Sequence, residues 1–273
     1  MRARDLVAPR WRRAAAAGVV SALAMPSASL AQELPSFLGW TLGSVRGGAR
    51  LAPDYMGSDD YNAYFTGAVV LTRKNGYQPP FGAPDDGVSL GLLGKGPFTA
   101  GLAGRWRSAR DADGDLQGFE EIDGTVEAGV FAEWWPADWL RFRAEARRGF
   151  GGHEDWVGDL SADAIARSEH WVLTAGPRIS WGDSGFAREY FSVTPADAAR
   201  SPRHLTPFAP DDSLWAPGLL ASASYRVTPS WSVETIGTYR RLMGDAADSP
   251  IVADLGSPDQ FTISLSLRYT FGQ

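Results

Sequence analysis

The sequence predicts an all-β fold: a transmembrane antiparallel β-barrel of about twelve strands, with ten as the alternative. Three observations carry this. The closing segment Phe261–Phe271 alternates without a break, with Phe261, Ile263, Leu265, Leu267, Tyr269 and Phe271 on one face and Thr262, Ser264, Ser266, Arg268 and Thr270 on the other. The same period-two pattern recurs upstream, and its polar face carries both signs of charge. The connections alternate between short turns and long polar loops, the asymmetry of short periplasmic turns and long extracellular loops in an outer-membrane barrel.

The first residues are set aside before the fold is read. Arg2, Arg4, Arg10, Arg12 and Arg13 precede an apolar run from Ala14 to Met25, and small residues lead to Ser29-Leu30-Ala31. That order predicts a secretory signal peptide over 1–31, too short for a membrane span, and a barrel over 32–273. Taking five arginines and one aspartate from 26 basic and 32 acidic residues leaves 21 and 31, a net charge of −10. A basic nucleic-acid footprint is absent, so no nucleic-acid partner is expected. The chain has no cysteine and so no disulfide framework, yet it carries eleven Trp, thirteen Phe and eight Tyr. An exported, acidic, aromatic-rich chain without a long apolar run fits an outer-membrane barrel or a secreted sandwich.

In chain order, strands are expected near 36–47, 61–73, 75–82 and 86–93. The third is the weakest because Pro79-Pro80 fall within it. Clear alternation follows over 98–107, 122–134, 140–147, 170–181, 219–227, 231–241 and 261–271. Short turns are expected at 94–97, 136–138, 182–185 and 228–230. Long loops are expected at about 108–120, 150–168, 193–213 and 242–259, which are rich in Asp, Gly, Ser and Pro.

Two hairpins give registers. Centring one on Ala137 sets Glu133 against Arg141 and Glu127 against Arg147 on the polar face, with opposite charges directly across. Centring another on Pro229 sets Tyr225 against Val233 outside and Ser224 against Glu234 inside, with Arg226 one step away. A slip of one residue would turn arginines towards lipid.

Matched charges suit an enclosed interior. The expected lumen-lining residues are Asp123, Glu127, Glu133, Arg141, Arg143, Arg147, Arg226, Glu234, Arg240 and Arg268. They admit two readings: a salt-bridged plug, which matched signs favour, or a charge-lined pore. The aromatics collect at strand ends as two girdles. Trp134, Trp139, Trp181, Trp231, Tyr269 and Phe271 are expected by the short turns, and Trp106, Trp171 and Tyr239 by the long loops. Phe131 is the bulky exception on the polar face, and Arg148 breaks the outward pattern where a lipopolysaccharide phosphate would pair with it. Outer-membrane lipids and lipopolysaccharide are the expected surroundings.

Catalytic and metal signals are weak. His153, His170 and His204 have no metal-ligand spacing, so no metal or other cofactor is expected. Ser168 and His170 share a strand face, but a nucleophile needs a base within reach and an acid behind it, and the pair reads as a loop-to-strand junction. The stretch Asp111–Ile122 places acids at positions 1, 3 and 5 of a calcium loop but has glycine at 4 and Ile122 at 12, so it reads as a solvated loop.

The stretches "LAPDYMGSDDYNAYF" (51–65), "FSVTPADAARS" (191–201), "YRRLMGDAADSPIV" (239–252) and "LRYTF" (267–271) resemble the MltA-interacting protein / OmpV family of outer-membrane proteins. They spread over nearly the whole barrel segment. The chain departs from the usual terminal aromatic by placing Gly272 and Gln273 after Phe271. The resemblance implies a non-enzymatic scaffold that brings a lytic murein transglycosylase together with a bifunctional penicillin-binding protein. It also implies, as the alternative, a narrow porin-like channel for small solutes or antibiotics. No catalytic residues come with it.

Overall fold

The computed structural model describes residues 40–73 and 81–272. The expected signal peptide lies outside them, as does nearly all of the strand expected at 75–82; Phe81 and Gly82, its last residues, are not in a strand. Eleven strands are present among the described residues: β1 Trp40–Pro53, β2 Tyr61–Arg73, β3 Val88–Lys95, β4 Phe98–Arg107, β5 Thr125–Ala137, β6 Leu140–Gly151, β7 Trp156–Arg167, β8 Trp171–Gly182, β9 Leu214–Arg226, β10 Trp231–Arg241 and β11 Asp259–Thr270. They form one sheet in the order β2-β1-β11-β10-β9-β8-β7-β6-β5-β4-β3, with every neighbouring pair antiparallel.

Burial is inverted relative to a water-soluble sheet. Leu265 is 58% exposed and Val130 56% exposed, whereas Arg141 and Glu127 are 0% exposed. The sheet is therefore curled with its polar face inward and its apolar face outward, the arrangement that a lipid surround requires.

With eleven strands in antiparallel order, the two edge strands β2 and β3 run in the same direction. β2 ends at the short-turn end of the sheet and β3 begins at the long-loop end. The described residues that precede β3, 81–87, lie inside the curl and form an inner strap. Pro84 O accepts a hydrogen bond from Arg46 of β1 at 2.9 Å, Asp85 meets Arg178 of β8, and Asp86 meets Arg141 of β6.

Three sequence expectations are corrected. Residues 150–168 are not a long loop. Most of them form β7, whose outward face holds only two large apolar residues, Trp156 and Leu160, among the small Gly158, Ala162, Ala164 and Ala166, so its apolar signature is weak. Residues 182–185 are not a short turn either, since they open the long β8–β9 connection. Adding β7 reverses the direction of β8, so Trp171 and Trp181 exchange ends: Trp171 stands at the short-turn end, while Trp181 pairs with Trp215 at the long-loop end. The first hairpin is shifted by two residues. Glu133 faces Arg143 and Glu127 faces Gly149, because an extra residue at Trp135-Pro136 makes a bulge before the Asp138-Trp139 turn. A two-residue slip keeps every side chain on its own face, which is why the pattern of faces survives. The second hairpin has the expected register, with Tyr225 opposite Val233 and Ser224 opposite Glu234.

At the long-loop end the connections pack into a folded cap. It contains α1 Ser184–Phe191, α2 Pro195–Arg200, α3 Asp245–Asp248 and α4 Pro250–Ala253. Asp183 caps α1 by accepting from the Phe186 N–H at 2.9 Å, and Thr194 with Asp197 forms a capping box on α2 behind Pro195. Phe186, Tyr190 and Phe191 of α1 bury against Ile122, Val157, Leu214 and Val252, and Leu116, Phe119, Val193, Leu205 and Ile251 form an adjoining cluster. The Ser249 hydroxyl donates to Phe191 O at 2.7 Å, which joins α4 to α1. Three of the family-like stretches, 51–65, 191–201 and 239–252, contribute to this cap and to the strand ends beneath it.

Candidate functional site

The chemistry of this chain is concentrated on the inner wall formed by β4–β8. Period two places Arg141, Arg143, Glu145 and Arg147 of β6 side by side on the inward face. Their neighbours on β5 and β7 then determine their partners. Arg141 donates from Nε to Asp163 Oδ2 at 2.9 Å and reaches Glu133 at 3.3 Å. Its two terminal nitrogens hold Asp86 of the strap at 2.6 and 3.1 Å. Arg143 donates to Glu133 at 2.6 Å, to Glu145 at 2.7 Å and to the Ser89 hydroxyl at 2.7 Å. Its guanidinium also lies 4.0 Å from the centre of the Phe131 ring, a cation–π contact that accounts for the one bulky apolar residue on the polar face. Arg147 joins Glu127 at 3.1 Å, Asp159 at 2.6 Å and Glu145. Towards the cap, Arg107 donates to Glu127 at 2.6 Å, and His153, buried against Phe186 and Tyr190, comes within 3.4 Å of the same carboxylate.

Arg178 has a further task. Pro177 lies mid-strand in β8 and has no N–H, and the β7–β8 ladder is interrupted between Ser161/Arg178 and Ala164/Ala175. The carbonyl opposite, Ala162 O, accepts instead from Arg178 Nη1 at 3.1 Å. The adjacent Gly176 is required here: a Cβ on it would stand 1.8 Å from Ala162 O. The other nitrogens of Arg178 hold Asp85 of the strap at 2.9 and 3.2 Å and Asp163 at 2.6 Å. Arg105 completes the wall, donating to Asp159 at 3.1 Å and to Asp85 O at 3.3 Å.

The wall alone carries six arginines (105, 107, 141, 143, 147, 178) against five carboxylates (Glu127, Glu133, Glu145, Asp159, Asp163), and the strap adds Asp85 and Asp86. Between strap and wall remains a cavity of about 20 Å³, lined also by Arg240 of β10 and large enough for about one water. The facing wall, β9–β11 with β1, presents mainly hydroxyls, among them Ser44, Ser264 and Ser266, with Glu234 held by Arg268 at 2.8 Å and Arg46 at 3.4 Å.

Of the ten residues expected in the lumen, Glu127, Glu133, Arg141, Arg143, Arg147 and Glu234 are buried on the inward face. Arg268 and Arg240 are partly buried there, and among the described residues Arg240 makes no ion pair and its Nε has no hydrogen-bond partner. Two differ from expectation. Asp123 lies just before β5 and is exposed, and Arg226 is exposed at the end of β9, where the turn carries it beyond the interior. The wall also uses residues that were not singled out from the sequence: Asp85, Asp86, Arg105, Glu145, Asp159, Asp163 and Arg178. Their signal is inward parity within an expected strand, readable for Arg105, Glu145 and Arg178 but hidden for Asp85, Asp86, Asp159 and Asp163, which lie in the strap and in β7.

The aromatic residues form contacting groups at the short-turn end, stacked around Trp134 and edge-on along Trp231, Tyr269 and Phe271. Trp134 lies between Phe98 and Phe142, with centroids at 6.1 and 5.5 Å; Trp171 meets Tyr225 at 4.8 Å; and Trp231, Tyr269 and Phe271 follow one another at 4.9 and 4.8 Å. Trp139 is exposed in the β5–β6 turn. At the long-loop end stand Trp106, Trp181 and Tyr239, the last 4.9 Å from Phe261. Trp135 turns inward to donate to Glu133 at 3.3 Å. Ser168 accepts from the Trp171 N–H at 3.2 Å as a turn residue, and His170 stacks on Tyr225 at 5.9 Å. In the calcium-like stretch, Asp115 pairs with Arg203. Arg148 is exposed and donates to Glu154 O at 3.2 Å.

A family model described as MltA-interacting protein MipA matches residues 45–271. The chain belongs to this family. With its polar face enclosed and its apolar face outward, it is an outer-membrane β-barrel protein. No curated protein matches it. Among solved structures it is similar to Neisserial surface protein A, at 12% identity over 85% of this chain and 97% of that one with a TM-score of 0.27. A Pseudomonas aeruginosa FadL homologue matches at 13% identity over 87% and 66%, TM-score 0.33. The outer membrane protease OmpT from Escherichia coli matches at 12% over 88% and 99%, TM-score 0.29. Scores this low carry no argument about activity or strand number.

Proposed function

We propose that this MipA-family barrel is a non-enzymatic, non-conducting anchor in the outer membrane that holds murein enzymes at its periplasmic, short-turn end. The observation that supports the reading is the filled interior: the strap lies against the charged wall through Asp85 and Asp86, and the folded cap covers the other end. A barrel without a wide aqueous path acts through its surfaces. The family's name records an interaction with MltA, which makes a lytic murein transglycosylase the first candidate partner; the second, a bifunctional penicillin-binding protein, is the one the family resemblance implies. The test is capture of these two enzymes from solution by the purified barrel, together with planar-bilayer recording. Capture without conductance is the expected result. A stable open pore that captures neither enzyme would overturn the reading.

A narrow channel is the second reading, and Arg240 is the observation that favours it. It is an interior cation with no ion-pair partner among the described residues, beside Arg105, whose side chain is 25% exposed. A current whose anion preference falls in Arg240→Gln would support this alternative.

A further inference from the structure

The outward face of β5–β8 is not uniformly convex. It carries a groove of about 460 Å³ whose floor is Ala132, Ala144 and Ala162 and whose sides are built by Trp134, Phe142 and Ile179. Two local features produce it. Neighbouring strands place their alanines at the same height, since Ala132 pairs with Ala144. Beside them the β7–β8 ladder is interrupted at Pro177, whose ring also faces the groove. The groove starts at the short-turn end, where Phe98 stacks on Trp134 at 6.1 Å, and runs towards mid-strand.

We infer that this groove is a phospholipid site, taking one acyl chain along the alanine floor and an anionic headgroup at Lys95. Lys95 is the cross-strand partner of Phe98, which lines the mouth of the groove, and it is exposed without an ion pair among the described residues. In a bilayer an apolar groove gains nothing from burial away from water, because every outward surface already meets hydrocarbon; selectivity there comes from close packing and from charge. A concave floor of methyl groups between the stacked Trp134–Phe142 pair and the aliphatic Leu160 and Ile179 contacts a chain on three sides, where a flat sheet offers one. A phosphate beside Lys95, at the level of the aromatic girdle, adds the polar contact. The short-turn end faces the inner leaflet of the outer membrane, so the ligand is a glycerophospholipid and not lipopolysaccharide.

The experiment is native mass spectrometry of the purified full-length barrel in detergent, titrated separately with phosphatidylglycerol, phosphatidylcholine and lipopolysaccharide. One phosphatidylglycerol per barrel is expected, with Lys95→Gln binding it about fivefold more weakly and losing the preference over phosphatidylcholine. Ala144→Phe, which fills the floor from the lipid side, is expected to abolish the adduct. Should that variant not fold, quenching of Trp134 fluorescence by brominated acyl chains, compared with Trp134→Phe, reports the same contact in the unaltered floor. Equal retention of all three lipids, an undiminished adduct in Ala144→Phe, or stronger binding of lipopolysaccharide would overturn the inference. None of these outcomes bears on the capture of murein enzymes.

Discussion

Arg178 Nη1 lies 3.1 Å from Ala162 O, the carbonyl opposite a proline that has no N–H to offer it. A lumen side chain thus repairs a gap in the backbone ladder of a membrane strand, where an unpaired carbonyl facing hydrocarbon is costly. Pro177→Ala restores the missing donor and is expected to leave stability unchanged or raise it by about 1 kcal/mol. Arg178→Met is expected to cost less in that background than in the native one, with a coupling of about 0.5–1.5 kcal/mol in a double-mutant cycle of urea unfolding.

The pair Arg141–Asp163 has both side chains fully buried, and Arg141 also holds Asp86. Removing one partner leaves uncompensated charge inside. Arg141→Met should therefore destabilise the barrel by about 3–5 kcal/mol, read as a lowered urea midpoint in detergent. A volume-conserving change on the lipid face, such as Leu265→Met, should cost less than about 1.5 kcal/mol.

The strap can be followed directly because the chain contains no cysteine. Ala83 is buried, so an Ala83→Cys thiol should react slowly with a water-soluble maleimide. Neutralising its tethers with Asp85→Asn and Asp86→Asn removes four charge-assisted contacts, those to Arg178 and Arg141. Labelling should then accelerate about tenfold or more, since each 1.4 kcal/mol lost is a factor of ten. Unchanged labelling would mean that the strap is held by something other than its aspartates.

The cap has a core to which the strand ends of β7 and β9 contribute Val157, Leu214 and Ala216. Phe191 is fully buried in it, and Phe191→Ala should cost about 3–5 kcal/mol. Hydrogen exchange should locate the loss: amides of α1, α2 and α4 gain exchange, while the strand amides of β5 and β6 keep their protection.

Asp197 gives the cap a dependence on acid. Burial works against its ionisation, but hydrogen bonds from the Thr194 hydroxyl at 2.6 Å and the Thr194 N–H at 3.0 Å, with Arg200 at 2.8 Å, outweigh it and hold the carboxyl below its ordinary value. A depressed value means that the stabilisation is fully present above the unfolded pKa of about 4 and is lost as pH falls through the lower folded value. Exchange at α2 should rise on acidification through that window, and Asp197→Asn should show the raised exchange already at neutral pH.

The legibility of the fold followed the chemistry of its faces. Wherever large apolar residues alternate with charge, as in Val126–Trp134 or Phe261–Phe271, period two identified both strand and face from the sequence. β7 is hard to read because four of its six outward positions are the small Gly158, Ala162, Ala164 and Ala166, with only Trp156 and Leu160 large, while Asp159 and Asp163 give the segment the composition of a loop. That single omission reversed β8 and moved Trp171 and Trp181 to the wrong ends. The hairpin register failed by two residues because a bulge at Trp135-Pro136 leaves no mark on alternation. The strap was unreadable for another reason: Phe81–Gly87 carries turn residues, and only tertiary contacts to β6 and β8 reveal that it lies inside. The caps of α1 and α2 were readable, since Thr194-Pro195-Ala196-Asp197 is a capping box with proline at the first helical position.

The strap's tethers also constrain the order in which this molecule is assembled. Asp85 is 93 residues from Arg178, and Asp86 is 55 from Arg141, so the second tie needs the chain through β6 and the first the chain through β8. Ties between residues so far apart in sequence carry a loop-closure cost before they contribute, so the strap is fixed late, by strands that follow it in the chain.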